Sequence, residues 1–191
     1  MLEDSAARWL LVAHTALGVA AVGAATHLVL WLRRYVRGEF ARRRAVVRFA
    51  WLVLALQLGA MLCGMAMYPT YKVEVRTAYL ENAPAILAQQ EARDQALAHL
   101  ADREHVAPPE SSATTELVHR AALAARWFDV KEHWVALGAF VAAALVLVLS
   151  LWEPREGRAI GSLVVGLAAI SCGTLWLAAI IGVLVASWRA V

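Results

Sequence analysis

Two histidines stand out because they lie in or beside apolar segments of the chain. His14 lies inside the first apolar segment, and His133 immediately precedes the third. When depth is counted from the estimated centre of each helix at the rise of an α-helix, the membrane depths of the two histidines differ by no more than roughly 5 Å. Ionisable groups are costly in a membrane and often functional there. Two histidines at one depth on different helices can be the axial ligands of haem b, so His14 and His133 are candidate haem ligands.

His27 lies on the same apolar segment as His14, thirteen residues later. A helix turns about 100° per residue, so this spacing leaves the two side chains about 140° apart. No other membrane histidine lies at the depth of His27. The sequence therefore predicts a polar intramembrane residue at His27 and no second bis-histidine haem.

Gln57 is the strongly polar residue near the middle of the second apolar segment. We expect it to form an interhelical hydrogen bond, and the alternatives are a quinone pocket or a proton path. The four apolar segments contain no Asp, Glu, Lys or Arg. An ion or proton carrier usually keeps such a residue deep in the membrane. A small transporter or channel is therefore the third and last of the functional hypotheses.

The sequence lacks the common motifs of soluble enzymes. It contains no H-E-x-x-H, no C-x-x-C, no P-loop, no G-x-G-x-x-G and no G-x-S-x-G. Asp129 and His133 share a helical face, but a catalytic zinc needs three protein ligands. We therefore expect no catalytic activity of the chain's own.

Four apolar segments must position these residues. The chain is 61% hydrophobic and only 17% charged, whereas soluble domains carry about 25% charged residues. Each segment reaches the length of about 20 residues that crosses a hydrocarbon core, and lipid forces such a segment to be helical. The segments are Trp9–Leu32, Phe49–Tyr71, Trp134–Trp152 and Ala159–Trp188.

The predicted fold is all-α: a single integral membrane four-helix bundle over residues 1–191, with a small helical extracytoplasmic hairpin between helices two and three. The transmembrane helices are expected at about 8–32, 47–68, 130–152 and 159–188, with the outer loop at about 69–129. Pro69 is expected to end helix two, and the alternation after Tyr71 predicts a short extended segment. A loop helix is expected to begin near Pro84.

The arginine distribution predicts the orientation. Residues 33–44 carry six Arg against Glu39 alone. By the positive-inside rule, this loop faces the cytoplasm, so both termini and residues 72–131 lie outside. We expect a bacterial cytoplasmic membrane. The net charge of +3 is a topology signal and does not indicate nucleic-acid binding.

Charged residues gather where the outer loop meets helices two and three. The two groups have complementary signs, so we expect an ion-pair collar that clamps the loop onto the bundle. The alternative is the mouth of a functional site that holds His133, a haem propionate or a partner. The collar residues are Lys72, Glu74, Arg76, Asp129, Lys131 and Glu132.

Small residues recur at helical spacing on two segments and predict tight helix contacts inside the bundle. The stripe on helix one is His14, Gly18, Ala21 and Ala25, and the stripe on helix four is Ser162, Gly166, Ala169 and Gly173. The first functional hypothesis is a non-catalytic membrane subunit or accessory protein of a larger membrane complex, for which a respiratory or redox complex is one candidate. Its surroundings would be the lipid bilayer and a membrane-protein partner or a homo-oligomer. The second is a b-type haem-binding or quinone-reactive anchor that uses His14 and His133.

Overall fold

The computed structural model describes residues 4–107, 115–152 and 160–187. These residues form five α-helices and no strand. A short 3-10 helix, Phe40–Arg42, precedes α2, and a π-helical segment, Tyr71–Leu80, follows it. The α-helices are α1 Asp4–Val36, α2 Arg43–Thr70, α3 Ala83–Glu104, α4 Thr115–Leu151 and α5 Ile160–Ser187.

Four helical spans are long and apolar enough to cross a membrane. They are Ser5–Val36, Phe40–Leu80, Thr115–Leu151 and Ile160–Ser187. The chain is therefore an integral membrane protein, and the all-α prediction is confirmed. The intervening α3 supplies the predicted helix of the loop between the second and third spans.

The fold divides into two compact units. The bundle unit contains residues 2–67 and 130–183, and the hairpin unit is built on residues 68–129. Each unit has its own core of buried apolar side chains.

The core of the bundle unit repeats every three or four residues on each of four helices. On α1, for example, Ala21, Ala25, Leu28, Leu32 and Tyr35 are all at most 2% exposed. An average spacing of 3.5 residues keeps one face of a helix turned toward its neighbours and is typical of left-handed helix packing. α2 contributes Val46, Ala50, Val53 and Leu54; α4 contributes Ala142, Leu145, Val146 and Leu149, with Trp152 directly after the helix; and α5 contributes Val164, Ala168 and Leu175.

The prediction that Pro69 ends helix two and leads into an extended segment is wrong. α2 continues through Pro69 to Thr70, and the π-helical segment follows directly. Proline lacks an N–H, and its ring displaces the carbonyl one turn earlier, which opens the α-helical hydrogen-bond pattern. The wider π pattern accommodates such a defect without breaking the helix.

The core of the hairpin unit is small. Leu80, Ile86, Ala121 and Ala125 are buried together. The start of α3 is fixed by the side chain of Asn82, whose Oδ1 accepts a hydrogen bond of 3.2 Å from the N–H of Ala85. This is an N-cap, which satisfies one of the free donors at a helix start. Beyond Gln90, most side chains of α3 are exposed.

The predicted packing of the small-residue stripes is correct only in part. Ala21 and Ala25 on α1 lie in the bundle core, but a Cβ added at Gly18 of the same stripe would meet no atom within 4 Å. On α5, a Cβ added at Gly166 or Gly173 would meet no atom within 4 Å. The α5 stripe therefore faces outward, and its prediction as a contact inside the bundle is wrong. Because α5 is apolar on all sides, periodicity alone does not reveal which face is buried.

Candidate functional site

His14 is fixed against α2 by a hydrogen bond to the backbone. Its Nδ1 lies 2.7 Å from the carbonyl oxygen of Ala60. A carbonyl can only accept, so Nδ1 carries the proton and donates, which leaves Nε2 of the neutral ring with a lone pair. Gly64 provides the space for the ring, because a Cβ there would lie 3.4 Å from Cε1 of His14.

Lys131 belongs to the bundle unit, where its ammonium reaches α5. A Cβ added at Gly182 would lie 3.3 Å from Nζ of Lys131. The side chain thus extends toward α5. The sequence analysis did not predict this, because it placed Lys131 in a collar at the membrane surface. The signal that it missed is the glycine at position 182 of α5.

His133 and His27 are both exposed, unlike the half-buried His14. His133 lies on the bundle part of α4. Nδ1 of His27 lies 3.1 Å from the carbonyl oxygen of Gly23, one turn earlier on the same helix. Nδ1 of His14, in contrast to Nδ1 of His27, bonds to the backbone of a different helix. Haem ligation by His14 and His133 stays a prediction.

Gln57 lies in the interior of the bundle unit, where α2, α4 and α5 meet. The side chain is 1% exposed, and its Nε2 donates a 3.2 Å hydrogen bond to the carbonyl oxygen of Val135 on α4. Gly138, one turn further along α4, permits this approach. A Cβ at Gly138 would lie 3.0 Å from Nε2 of Gln57 and would overlap the hydroxyl of Thr174 on α5.

Two hydroxyl residues of α5 complete this group, which we call the polar layer: Gln57, Gly138, Ser171 and Thr174. Ser171 and Thr174 are each 2% exposed. The hydroxyl of Thr174 donates a 2.8 Å hydrogen bond to the carbonyl oxygen of Ser171. Among the described residues, Oε1 of Gln57 and Oγ of Ser171 have no hydrogen-bond partner. The sequence analysis identified Gln57 but missed the other three residues, because isolated small and hydroxyl residues are common in membrane helices.

The hairpin unit contains an ion-pair network around Arg76. Its guanidinium donates to Asp129 over 2.6 Å and to Glu81 over 2.8 Å. Glu81 was not among the predicted collar residues. Its spacing of five residues from Arg76 fits the i→i+5 pattern of the π-helical segment. Tyr71 and Phe128 stack nearby in the same unit, with ring centroids 3.9 Å apart.

Two further collar residues, Lys72 and Glu74, lie in the same π-helical segment as Arg76. Lys72 is exposed, and its carbonyl oxygen accepts a 2.9 Å hydrogen bond from the hydroxyl of Thr77. Glu74 is half-buried in the same segment. Lys131 and Glu132 lie in the bundle unit. Within the hairpin unit, the network is therefore centred on Arg76.

A further polar contact joins α1 and α5. Nε1 of Trp176 donates a 3.2 Å hydrogen bond to the hydroxyl of Thr26, which in turn lies 3.7 Å from Sγ of Cys172. Both Cys63 and Cys172 are free thiols. Across residues 4–107, 115–152 and 160–187, no group of three or more His, Cys, Asp or Glu side chains is arranged to hold a metal ion.

Comparison with known proteins gives no relative: no protein-family model, curated protein or solved structure matches the chain. The class of protein that the fold defines is a four-helix integral membrane protein.

Proposed function

We propose that the chain is a subunit, without catalytic activity of its own, of a larger protein complex in the membrane. The observation that carries this proposal is the outward small-residue stripe on α5. At Gly166 and Gly173, an added Cβ would meet nothing within 4 Å, and Ala169 between them is exposed. The bundle itself therefore leaves this face uncovered.

Such a stripe supports association with another membrane helix. In lipid, burial of apolar surface does not drive helix association, so close packing across small residues becomes important. Gly166, Ala169 and Gly173 leave a shallow strip along which a second helix can approach the backbone of α5. The bulky side chains along one edge of the strip, Leu163 and Ile170, are more than half exposed and can pack against that helix.

The hairpin unit supplies a second supporting observation. Between Glu91 and Glu104 of α3, every residue except Asp94 and Ala101 is exposed. Leu97 and Leu100 lie on this stretch, with exposures of 38% and 51%. Leu97 and Leu100 lie three residues apart on one side of α3, so they form a small exposed apolar patch that a partner can cover.

Native gel electrophoresis of mildly solubilised membranes from the native host tests the proposal. The natural chain is expected to migrate in a discrete complex well above its own mass of 20.8 kDa. The double variant Gly166→Leu, Gly173→Leu should lose that complex, because leucine fills the strip. The matched control is Ala144→Leu, a small-to-large change at an exposed position of α4, which should keep the complex.

Expression in a foreign host separates the two kinds of partner. A complex of the same size in that host would identify a homo-oligomer, whereas its absence there would identify a different membrane protein as the partner. Migration as a single chain in native membranes would contradict the proposal, as would a complex that both the double variant and the control retain.

The proposed location is a bacterial cytoplasmic membrane with both termini outside. This orientation is supported by the six arginines between Arg33 and Arg44 and the positive-inside rule. In a background with Cys63 and Cys172 replaced by serine, a membrane-impermeant maleimide added to intact cells should label a cysteine at Gln95 and spare one at Arg37. Both positions are exposed, and the reverse labelling would invert the orientation.

A second candidate function is haem b or quinone binding at His14. It is favoured by the hydrogen bond from Nδ1 of His14 to Ala60. A histidine that donates from one nitrogen to a carbonyl presents the other to a ligand in a fixed orientation. The visible spectrum of the purified protein tests haem. A Soret band that disappears in both His14→Ala and His133→Ala would support bis-histidine ligation, and a spectrum without that band would rule it out.

A further inference from the structure

The side-chain amide of Gln57 makes one hydrogen bond through Nε2, whereas its oxygen, Oε1, accepts none from the residues that the structure describes. Its Nε2 donates to the carbonyl oxygen of Val135, which fixes the assignment of the two amide atoms, because Oε1 facing a carbonyl would be repulsive. Oε1 is buried and has no donor among the residues that the structure describes. A buried carbonyl without a donor is strongly disfavoured in lipid, where water cannot replace the missing partner.

The neighbouring hydroxyls do not supply that donor. Thr174 lies beside Gln57, since a Cβ added at Gly138 would contact both its Oγ1 and the Nε2 of Gln57. Its single proton is already donated to the carbonyl oxygen of Ser171. Ser171, one turn earlier on α5, has a hydroxyl that is equally buried and has no described partner. The polar layer thus contains both an acceptor and a hydroxyl whose hydrogen bonds are unmade.

We propose that the polar layer binds one hydroxyl group, which donates to Oε1 of Gln57 and bonds to the hydroxyl of Ser171. The group belongs either to a water molecule or to the head of a quinol. An oxidised quinone does not meet the requirement, because its carbonyl oxygens only accept. Buried water commonly satisfies such groups in protein interiors. This inference is independent of the proposed partner interface, which lies on the opposite face of α5.

Solid-state NMR on the full chain in vesicles tests this proposal. Replacing Gln89, Gln90 and Gln95 of α3 by alanine leaves Gln57 as the one labelled glutamine. The measurement is magnetisation transfer to the Gln57 side chain. In the first arm, the vesicles contain synthetic phosphatidylcholine only, and transfer comes from water protons. In the second arm, decylubiquinol is added, and transfer comes from its methoxy protons.

Transfer from water in the first arm identifies the hydroxyl as water, and transfer from quinol that appears only in the second arm identifies it as quinol. In either case, Ser171→Ala should remove most of the transfer, because it deletes the second partner. The matched control is Ser162→Ala on the exposed side of the same helix, which should leave it unchanged. A Gln57 side chain without transfer in both arms would overturn the proposal, as would equal transfer in Ser171→Ala and the natural chain.

Discussion

The two faces of α5 have similar compositions but opposite surroundings. The inward face includes Gly161, Val164 and Ala168, all buried. The outward face includes Gly166 and Gly173, beside which an added Cβ would meet nothing within 4 Å. A small residue therefore marks close packing only where another helix is present to fill the space. The inward Gly161 is explained by its contact with Val36 of this chain, whereas the outward glycines are the basis of the proposed partner interface.

The largest effect is expected where a glycine is already enclosed. Gly138→Ala should destabilise the bundle by about 1–3 kcal/mol, because the new methyl group overlaps the hydroxyl of Thr174. Thermal unfolding in detergent, followed by tryptophan fluorescence, measures this loss.

A second substitution and a control sharpen that result. Combining Gly138→Ala with Thr174→Ala should recover part of the lost stability, because the overlapping hydroxyl is removed. Gly166→Ala is the control on the outward face and should leave the unfolding midpoint nearly unchanged. Equal losses for Gly138→Ala and Gly166→Ala would refute the distinction between a glycine enclosed by the bundle and a glycine that faces outward.

A smaller effect is expected in the hairpin unit. A double-mutant cycle on Arg76→Ala and Asp129→Ala should give a coupling of about 1 kcal/mol, at the upper end for partly exposed pairs. The side chains of this pair are 23% and 38% exposed.

The control is the pair of Arg120 and Glu116, which has a similar separation of 2.8 Å but side-chain exposures of 63% and 64%. Its coupling should be about 0.3–0.5 kcal/mol, the range of exposed helical pairs. Couplings in the reverse order would show that the Arg76 network does not stabilise the hairpin unit.

The smallest effect is expected from filling the outward strip. The double variant Gly166→Leu, Gly173→Leu should change the unfolding free energy of the isolated chain by no more than about 0.5 kcal/mol, as for surface substitutions away from packed contacts. The same unfolding assay measures it. A loss as large as that of Gly138→Ala would show that this face packs within the bundle after all.

Much of the fold follows from the sequence because a membrane imposes simple constraints. Apolar segments of sufficient length must be helical in lipid, so the four spans were predictable. Which face of each helix is buried was harder to predict from the sequence. On α1, Ala21 and Ala25 stand out against polar and bulky neighbours, whereas α5 offers apolar residues in every direction. The continuation of α2 past Pro69 was missed because the proline rule concerns the α-helical pattern, and the chain changes to a π pattern.

The site was predictable only where a residue type is unusual in a membrane. Gln57 and His14 stand out in apolar segments. Their hydrogen-bond partners do not stand out, because His14 bonds to the backbone of Ala60 and Gln57 bonds to the backbone of Val135. A backbone carbonyl has no signature in the sequence. Glu81 was missed for a different reason, because its contact with Arg76 depends on π-helical spacing.

Site-specific photo-crosslinking in native membranes tests the partner interface most directly. A photoreactive amino acid placed at Gly166 reports on the outward strip of α5, and the same group at Ala144 reports on an exposed position of α4. The account predicts one crosslinked product of defined mass from position 166 and none of that mass from position 144. Crosslinks to lipid alone at position 166, or the same products from both positions, would contradict it.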